Sequence, residues 1–344
     1  SKIIDAAASG EWIRVRAGSE TKVTLSFHYT GEDQRSNQPD GIFAGLQPAK
    51  ASSALGGLLY SLGNNRRAMG LAVQRFDNGR QQNGGYYELN EKLQLKPVAD
   101  TAMEAFIQNK LAIPQDAVSV EASSVLVMDD KGRRWRLPLG DQVYDPLTES
   151  GQLRICREVA TERDLFSCHG TFYELPAENA DGFAKIRPIA SHDFRVHDYA
   201  SYRGMLVMTG IDPGASAGGH IVRSEDGQAA AWVGVIDDLW KIGKPRGRGG
   251  PWKDSAVQAN VPSDPYLIGF YDKKTLTISH DAATPVTFRL EVEPVGHGPW
   301  MLYKSVTVDP GTPFSYSFPE GFQARWIRFS ADKNCTATAM LVYE

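Results

Sequence analysis

The sequence predicts an all-β chain in two parts, a larger turn-rich β domain over residues 1–262 and a small antiparallel β-sandwich over residues 263–344. Three observations predict it. Glycine and proline number 33 and 19 while aromatics make up 10% of the chain, so turn formers and residues suited to a pleated surface are both plentiful. Short apolar runs alternate at period two, as strands with one buried face do. Beyond residue 263 these runs recur about every ten residues with turn signals between them, which is the spacing of a sandwich.

The elements follow in order. Trp12 to Arg16 and Lys22 to Phe27 alternate around Ala17-Gly18-Ser19-Glu20 and read as a hairpin. Residues 31–54 read as loop, Arg67 to Phe76 as strand, and the polar stretch as far as Gly85 as loop again. Asp100 is a good N-cap, and Ala102, Met103, Phe106, Ile107 and Leu111 share a helical face before Pro114, so a helical insertion is expected over 100–112. Val118 to Met128 and Arg133 to Leu139 form a hairpin across Asp129-Asp130-Lys131-Gly132.

From Leu153 to Trp240 one order recurs: polar loop, short apolar strand, turn, second strand. This is blade-like. The expected inner strands are Thr171 to Leu175, Met205 to Ile211 and Trp232 to Ile236, roughly 30 residues apart and tighter than the ~40 to 50 of a four-stranded blade. Residues 1–262 are therefore expected to be β-propeller-like, with fewer blades than a full ring or with another chain completing it. Gly243 to Pro251 is too rich in glycine and proline for regular structure, which puts the domain boundary near Pro262. Strands are expected after it at Leu276 to Ser279, Val286 to Val292, Tyr303 to Val308, Phe314 to Phe318, Trp326 to Ser330 and Ala337 to Tyr343.

Composition excludes some functions. The formal net charge of −4 comes without a basic run, so a nucleic-acid partner is not expected, and no apolar stretch is long enough for a spanning helix. The chain starts at Ser1 as a processed product would, which leaves room for an export signal removed earlier. Cys156, Cys168 and Cys335 have no Cys-x-x-Cys spacing and read as buried thiols, with a Cys156 to Cys168 bridge as the alternative. No phosphate-binding loop and no Gly-x-Ser-x-Gly elbow is present.

The chemistry concentrates between Cys168 and Lys241. His169 sits directly before a strand, and Ser191 to Gly204 packs His192, His197, Tyr199, Tyr202 and Arg203 into one pre-strand loop. Histidine supplies a base, tyrosine an acid and arginine a clamp for a carboxylate, a set suited to acid–base work on an acidic sugar. Asp237, Asp238, Trp240 and Lys241 put two carboxylates beside an aromatic and a cation, as sugar sites do, although solvated turn acids give the same pattern. No cofactor is called for; the one metal alternative is a divalent cation on His169, His192 and His197.

The segments Cys168-His169-Gly170-Thr171-Phe172-Tyr173-Glu174-Leu175-Pro176, Ser201 to Val207 and Asp237 to Pro245 resemble bacterial β-propeller proteins of polysaccharide utilisation, some of which act on rhamnose–glucuronate linkages. The resemblance covers residues 150–344. It implies a secreted or periplasmic protein with an oligo- or polysaccharide partner, and places His169, His197, Tyr199, Tyr202 and Arg203 at a channel mouth. The expected function is cleavage of a glycosidic bond next to a uronic acid, by elimination or hydrolysis. His169 or His197 would be base, Tyr199 or Tyr202 acid, with Arg203 on the carboxylate and His192, Asp237, Asp238, Trp240 and Lys241 binding substrate. The alternative is a non-catalytic glycan-binding or scaffold protein.

Overall fold

The computed structural model describes residues 33–344 except 52, 64–67, 78–79, 113–117, 146–152, 161–162, 213, 216–218 and 297. The hairpin expected over residues 12–27 lies outside the described residues. The described chain is nearly all β and is divided among several sheets.

The first sheet is an antiparallel meander of β1 (Ser53–Ser61), β2 (Met69–Asp77), β3 (Arg80–Leu89) and β4 (Leu95–Pro97), hydrogen-bonded in that order. The polar stretch expected to be loop as far as Gly85 is instead the first half of β3, where Arg80, Gln81 and Gln82 pair with Asp77, Phe76 and Arg75. Their side chains are exposed while their backbone is paired, so polarity alone does not mark a loop. Helix α1 (Thr101–Lys110) follows as expected, with the Asp100 carboxylate accepting from the Met103 N–H at 2.9 Å. Ile107 is fully buried against Leu58, Ala72 and Tyr86, with Met103 and Leu111 beside it, whereas Phe106 turns outward.

After the hairpin β5 (Ser119–Val120), β6 (Val125–Met128) and β7 (Arg134–Leu137) come two more four-stranded sheets. One runs β8 (Cys156–Ala160), β9 (Arg163–Cys168), β10 (Thr171–Pro176) and β11 (Arg187–Ser191) as a meander. The other, of β12 (Tyr199–Tyr202), β13 (Met205–Met208), β14 (Ile221–Arg223) and β15 (Ala230–Gly234), has the order β12-β13-β15-β14.

The expected inner strands are β10, β13 and β15, and each is flanked by neighbours on both sides. It is the free edges of β1, β8 and β12 that come together. Asp198 accepts from the Leu59 N–H at 2.8 Å, Arg157 donates to the Leu59 carbonyl at 3.0 Å, and the Arg154 N–H donates to the His197 carbonyl at 2.8 Å.

The last two sheets cross residue 262. β16 (Gly247–Val257) pairs with β23 (Cys335–Tyr343) in the order β16-β23-β18-β21, with β18 (Lys274–His280) and β21 (Phe314–Ser317). β17 (Tyr266–Leu267), β19 (Val286–Glu293), β20 (Met301–Val308) and β22 (Trp326–Ala331) join the earlier hairpin in a seven-stranded sheet, β20-β19-β22-β17-β7-β6-β5. The stretch expected to be irregular, Gly243 to Pro251, thus contributes the start of a strand. Its glycines serve close backbone approach, since a Cβ on Gly250 would fall 1.8 Å from the Ala339 carbonyl oxygen.

Inward residues of both sheets, among them Trp135, Leu276, Phe288, Trp326 and Leu341, lie in one apolar core. That core also takes in Phe166, Tyr173 and Ile186 from the β8–β11 region. Trp326 Nε1 donates to the Ala184 carbonyl at 2.8 Å and Arg325 to the Lys185 carbonyl at 2.6 Å, fixing the β10–β11 connection against the seven-stranded sheet.

Candidate functional site

Where the β6–β7 turn faces the β8–β10 strands, a cleft of about 430 Å³ opens. Its position follows from the anchoring just described, because the β10–β11 connection that carries Glu178 and Phe183 is held by Trp326 and Arg325. Phe166 and Phe183 meet edge to face at 5.4 Å between centroids and, with Leu175 and Ile155, make an apolar wall. The charged groups are Arg154, whose guanidinium is paired with Asp198, and carboxylates from three directions: Asp129 and Asp130 from the turn, Asp164 from β9, and Glu178 from the connection.

These carboxylates are not equivalent. Burial and then the charge of Glu158 push the Asp164 carboxyl above its ordinary range, toward the protonated form. Asp129 goes the other way. Burial works against its charge, but hydrogen bonds from Trp135 Nε1 at 2.9 Å, the Arg133 N–H at 2.9 Å and Arg133 Nε at 2.7 Å outweigh it and hold the carboxyl below its usual value. Glu178 pairs with Lys131 at 2.5 Å. Cys156 also lines the cleft, but burial pushes its thiol up to about 12, so it is no nucleophile near neutral pH. A carboxyl biased toward its acid form, Asp164, beside one held toward ionisation, Asp129, is an acid–base pairing.

None of the residues expected to carry the chemistry lines this cleft. His169 and Gly170 are the two residues of the β9–β10 hairpin turn, with φ of 49° and 76°, a geometry that glycine enters freely. The His169 ring folds inward, its Nδ1 accepting from the Gly140 N–H at 3.0 Å and its Nε2 3.2 Å from Asp145. His192 lies near it across Tyr144, whose ring centroid is 5.8 Å from His169 and 6.1 Å from His192. His192 Nδ1 accepts from the Phe194 N–H at 3.2 Å, and burial drives its pKa down to about 3. His169 is lowered too, chiefly by burial.

His197 and Tyr199 sit elsewhere, on either side of Asp198. Burial lowers His197 to about 4, and the Tyr199 hydroxyl is committed to the Leu165 carbonyl at 2.7 Å and the Ile155 carbonyl at 3.0 Å. Burial raises the Tyr199 pKa well above its ordinary value, so it is a poor proton donor where it stands. Asp198, fully buried, accepts from Arg154 Nε at 2.9 Å and from the N–H groups of Leu59 and Tyr199, both at 2.8 Å.

Tyr202 and Arg203 lie at the β12–β13 turn, where Arg203 is half exposed and faces Glu91 at 3.8 Å. Asp238 and Lys241 pair at 2.8 Å on the short 3-10 helix Ile236–Lys241, and Asp238 also accepts from the Val235 N–H at 3.0 Å. Asp237 is exposed on that helix, and exposed Trp240 stacks with the Arg35 guanidinium at 4.5 Å.

The ten expected residues are thus spread over separate places: the His169–Tyr144–His192 cluster, the Asp198 neighbourhood, the β12–β13 turn and the 236–241 helix. The cation set fails with them. Among the described residues no group of three His, Cys, Asp or Glu side chains is placed to hold a metal ion. The three cysteines are free thiols, so the alternative Cys156 to Cys168 bridge is not formed. Asp164 and Glu178 are missed by the sequence reading because each is one polar residue on a strand or turn, with nothing local to mark its cleft. Asp129 and Asp130 are visible there only as turn formers.

No protein-family model and no curated protein sequence matches the chain. Among solved structures, an exo-β-1,3-galactanase from Phanerochaete chrysosporium with galactose is similar at 9% identity, covering 87% of this chain and 80% of that one, with a TM-score of 0.19. An arabinoxylan arabinofuranohydrolase of glycoside hydrolase family 43 from Bacillus subtilis, in complex with cellotetraose, is similar at 10% identity over 85% and 78% of the two chains, with a TM-score of 0.19. A Bombyx mori family 32 β-fructofuranosidase with sucrose is similar at 7% identity over 82% and 64%, with a TM-score of 0.15. Similarity at these TM-scores does not establish a common fold.

Proposed function

We propose that the chain is a carbohydrate-active enzyme that hydrolyses glycosidic bonds in the cleft between the β6–β7 turn and β8–β10. The observation that carries this is Asp164, a carboxyl pushed toward its protonated form on an apolar wall faced by Asp129, which is held toward ionisation, and by Asp130 and Glu178. Asp164 is the acid that protonates the leaving oxygen, and Asp130 or Glu178 is the partner carboxylate. Phe166 and Phe183 offer the apolar surface on which a sugar ring rests.

Hydrolysis suits this site better than elimination. Elimination needs a base and a cation on the uronate, whereas Arg154, the cation in the lining, is paired with buried Asp198, and Asp129, Asp130 and Glu178 disfavour an acidic sugar against a neutral one. The same reading takes the sheets β1–β4, β8–β11 and β12–β15 as blades of a propeller-like unit. The last two sheets, with β5–β7 and β16 included, are its companion sandwich. A secreted or periplasmic setting belongs to this reading.

The test is turnover of a panel of neutral and uronate-containing oligosaccharides by the unaltered chain, Asp164→Asn, Asp130→Asn and Glu178→Gln. Asp164→Asn is expected to lose about 100-fold or more in kcat while still binding substrate. Binding without turnover in the unaltered chain would favour the non-catalytic reading, and unchanged turnover in all three variants would remove the cleft from consideration.

A further inference from the structure

The connection between β11 and β12 buries a cation that no carboxylate among the described residues compensates. Arg195 is 7% exposed, its Nε has no hydrogen-bond partner, and no ion pair to it is formed among the described residues. Its guanidinium carbon lies 5.2 Å from the centroid of the Phe76 ring. His197, 1% exposed, packs on the same ring at 5.0 Å, and its Nε2 is likewise buried without a partner. β1 makes room for it, since a Cβ on Gly56 would fall 2.6 Å from His197 Cγ.

His197 Nδ1 lies 3.0 Å from both the N–H and the carbonyl of Gly57. The Gly57 N–H donates to Nδ1 at 3.0 Å, and the Gly57 carbonyl already accepts from Thr209 Oγ1 at 2.9 Å. With that carbonyl engaged, we take Nδ1 as the acceptor and the proton as sitting on Nε2. Two N–H donors, one of them on a full positive charge, therefore lie against one aromatic ring with no acceptor among the described residues. A buried charge or donor in that condition is costly, and the cost is removed by an acceptor that carries negative charge. Burial lowers the Arg195 pKa with no carboxylate to offset it, and it lowers His197 in spite of the Gly57 hydrogen bond and the charge of Asp198.

We propose that Arg195 Nε and His197 Nε2 bind a small oxyanion against Phe76, either a free inorganic anion such as sulfate or the carboxylate of a sugar acid. The site is separate from the carboxylate cleft and stands or falls independently of it. Arginine supplies the charge and a directed donor, and the imidazole supplies the second donor.

Titration calorimetry of the full chain with sodium sulfate, sodium glucuronate and glucose, at constant ionic strength, tests this. Saturable binding of sulfate, glucuronate or both is expected, with none for glucose; sulfate alone identifies the inorganic ion, and glucuronate binding identifies the carboxylate. Arg195→Met is expected to lose tenfold or more in affinity and Arg195→Lys, which keeps the charge but lacks the Nε donor, to lose part of it. The His197 Nε2 resonance is expected to shift on anion addition in the unaltered chain and not in Arg195→Met, with circular dichroism confirming that both are folded. Asp164→Asn should bind anion normally. Absence of binding by both anions, or unchanged affinity in Arg195→Met, overturns the proposal.

Discussion

Replacing Asp198 by alanine would remove the charge at the junction of β1, β8 and β12. The Asp198 side chain is fully buried, and it accepts from Arg154 through Nε at 2.9 Å and a terminal nitrogen at 3.4 Å, with Arg157 3.5 Å away. It also accepts the N–H groups of Leu59 and Tyr199, each at 2.8 Å. Removing one partner of a buried pair typically costs about 3–5 kcal/mol because the other charge is left unpaired. Asp198→Ala strands one guanidinium outright and weakens the setting of a second, so a loss at the upper end, about 4–5 kcal/mol, is expected.

Urea unfolding followed by tryptophan fluorescence and by circular dichroism measures it, with coincidence of the two curves checked first. The double variant Asp198→Ala, Arg154→Met removes the stranded charge and should recover part of the loss, a coupling of roughly 1–3 kcal/mol. A loss below about 1 kcal/mol in the single variant, or strict additivity in the double, would show that this ion pair does not hold the three edges together.

Further outcomes follow from the same structure. Burial holds His192 and His197 neutral when folded, near 3 and 4, while unfolded histidines titrate near 6.5, so the unfolded chain binds more protons in between. Their contribution to stability is present above about pH 6.5 and lost as pH falls toward 4, roughly 2 kcal/mol each by pH 5; urea midpoints equal at pH 7 and pH 5 would contradict it. Cys156 and Cys168, pushed to about 12 by burial, should resist thiol reagents at pH 8 until the chain is unfolded, and rapid labelling of either in the folded chain would show the packing to be wrong. Gly250→Ala forces a methyl onto the Ala339 carbonyl and should cost about 1–3 kcal/mol by urea unfolding, against no change if β16 and β23 do not approach so closely.

What the sequence discloses is what short-range chemistry decides. The Asp129–Gly132 turn, the Asp100 cap and the alternation of β18 and β19 are written in adjacent residues, and the structure has each of them. β16 is hidden because its glycines answer to Ala339 and Ser123, residues far away in the chain, and in isolation they read as a breaker. The outer half of β3 is hidden because its side chains face water while its backbone is paired.

The site is less legible still. His169, His197 and Tyr199 carry the right functional groups, but what each group meets is settled by residues 29 to 140 positions away, Gly140 for His169, Leu165 and Ile155 for Tyr199, and Gly57 for His197. Arg195 stands in the same polar run as these residues, and only its burial without a partner separates it from its neighbours. Asp164 has the opposite history: an ordinary acid on a strand acquires its bias from partial burial and then from Glu158.

The central claim is that the carboxylate cleft hydrolyses a glycosidic bond, and the masses of the products test it most directly. For an oligosaccharide the chain cleaves, the products are expected to total the substrate plus one water, with no new ultraviolet absorbance and with cleavage lost in Asp164→Asn. Products that total the substrate alone and carry an unsaturated sugar, or cleavage that survives Asp164→Asn undiminished, would contradict it.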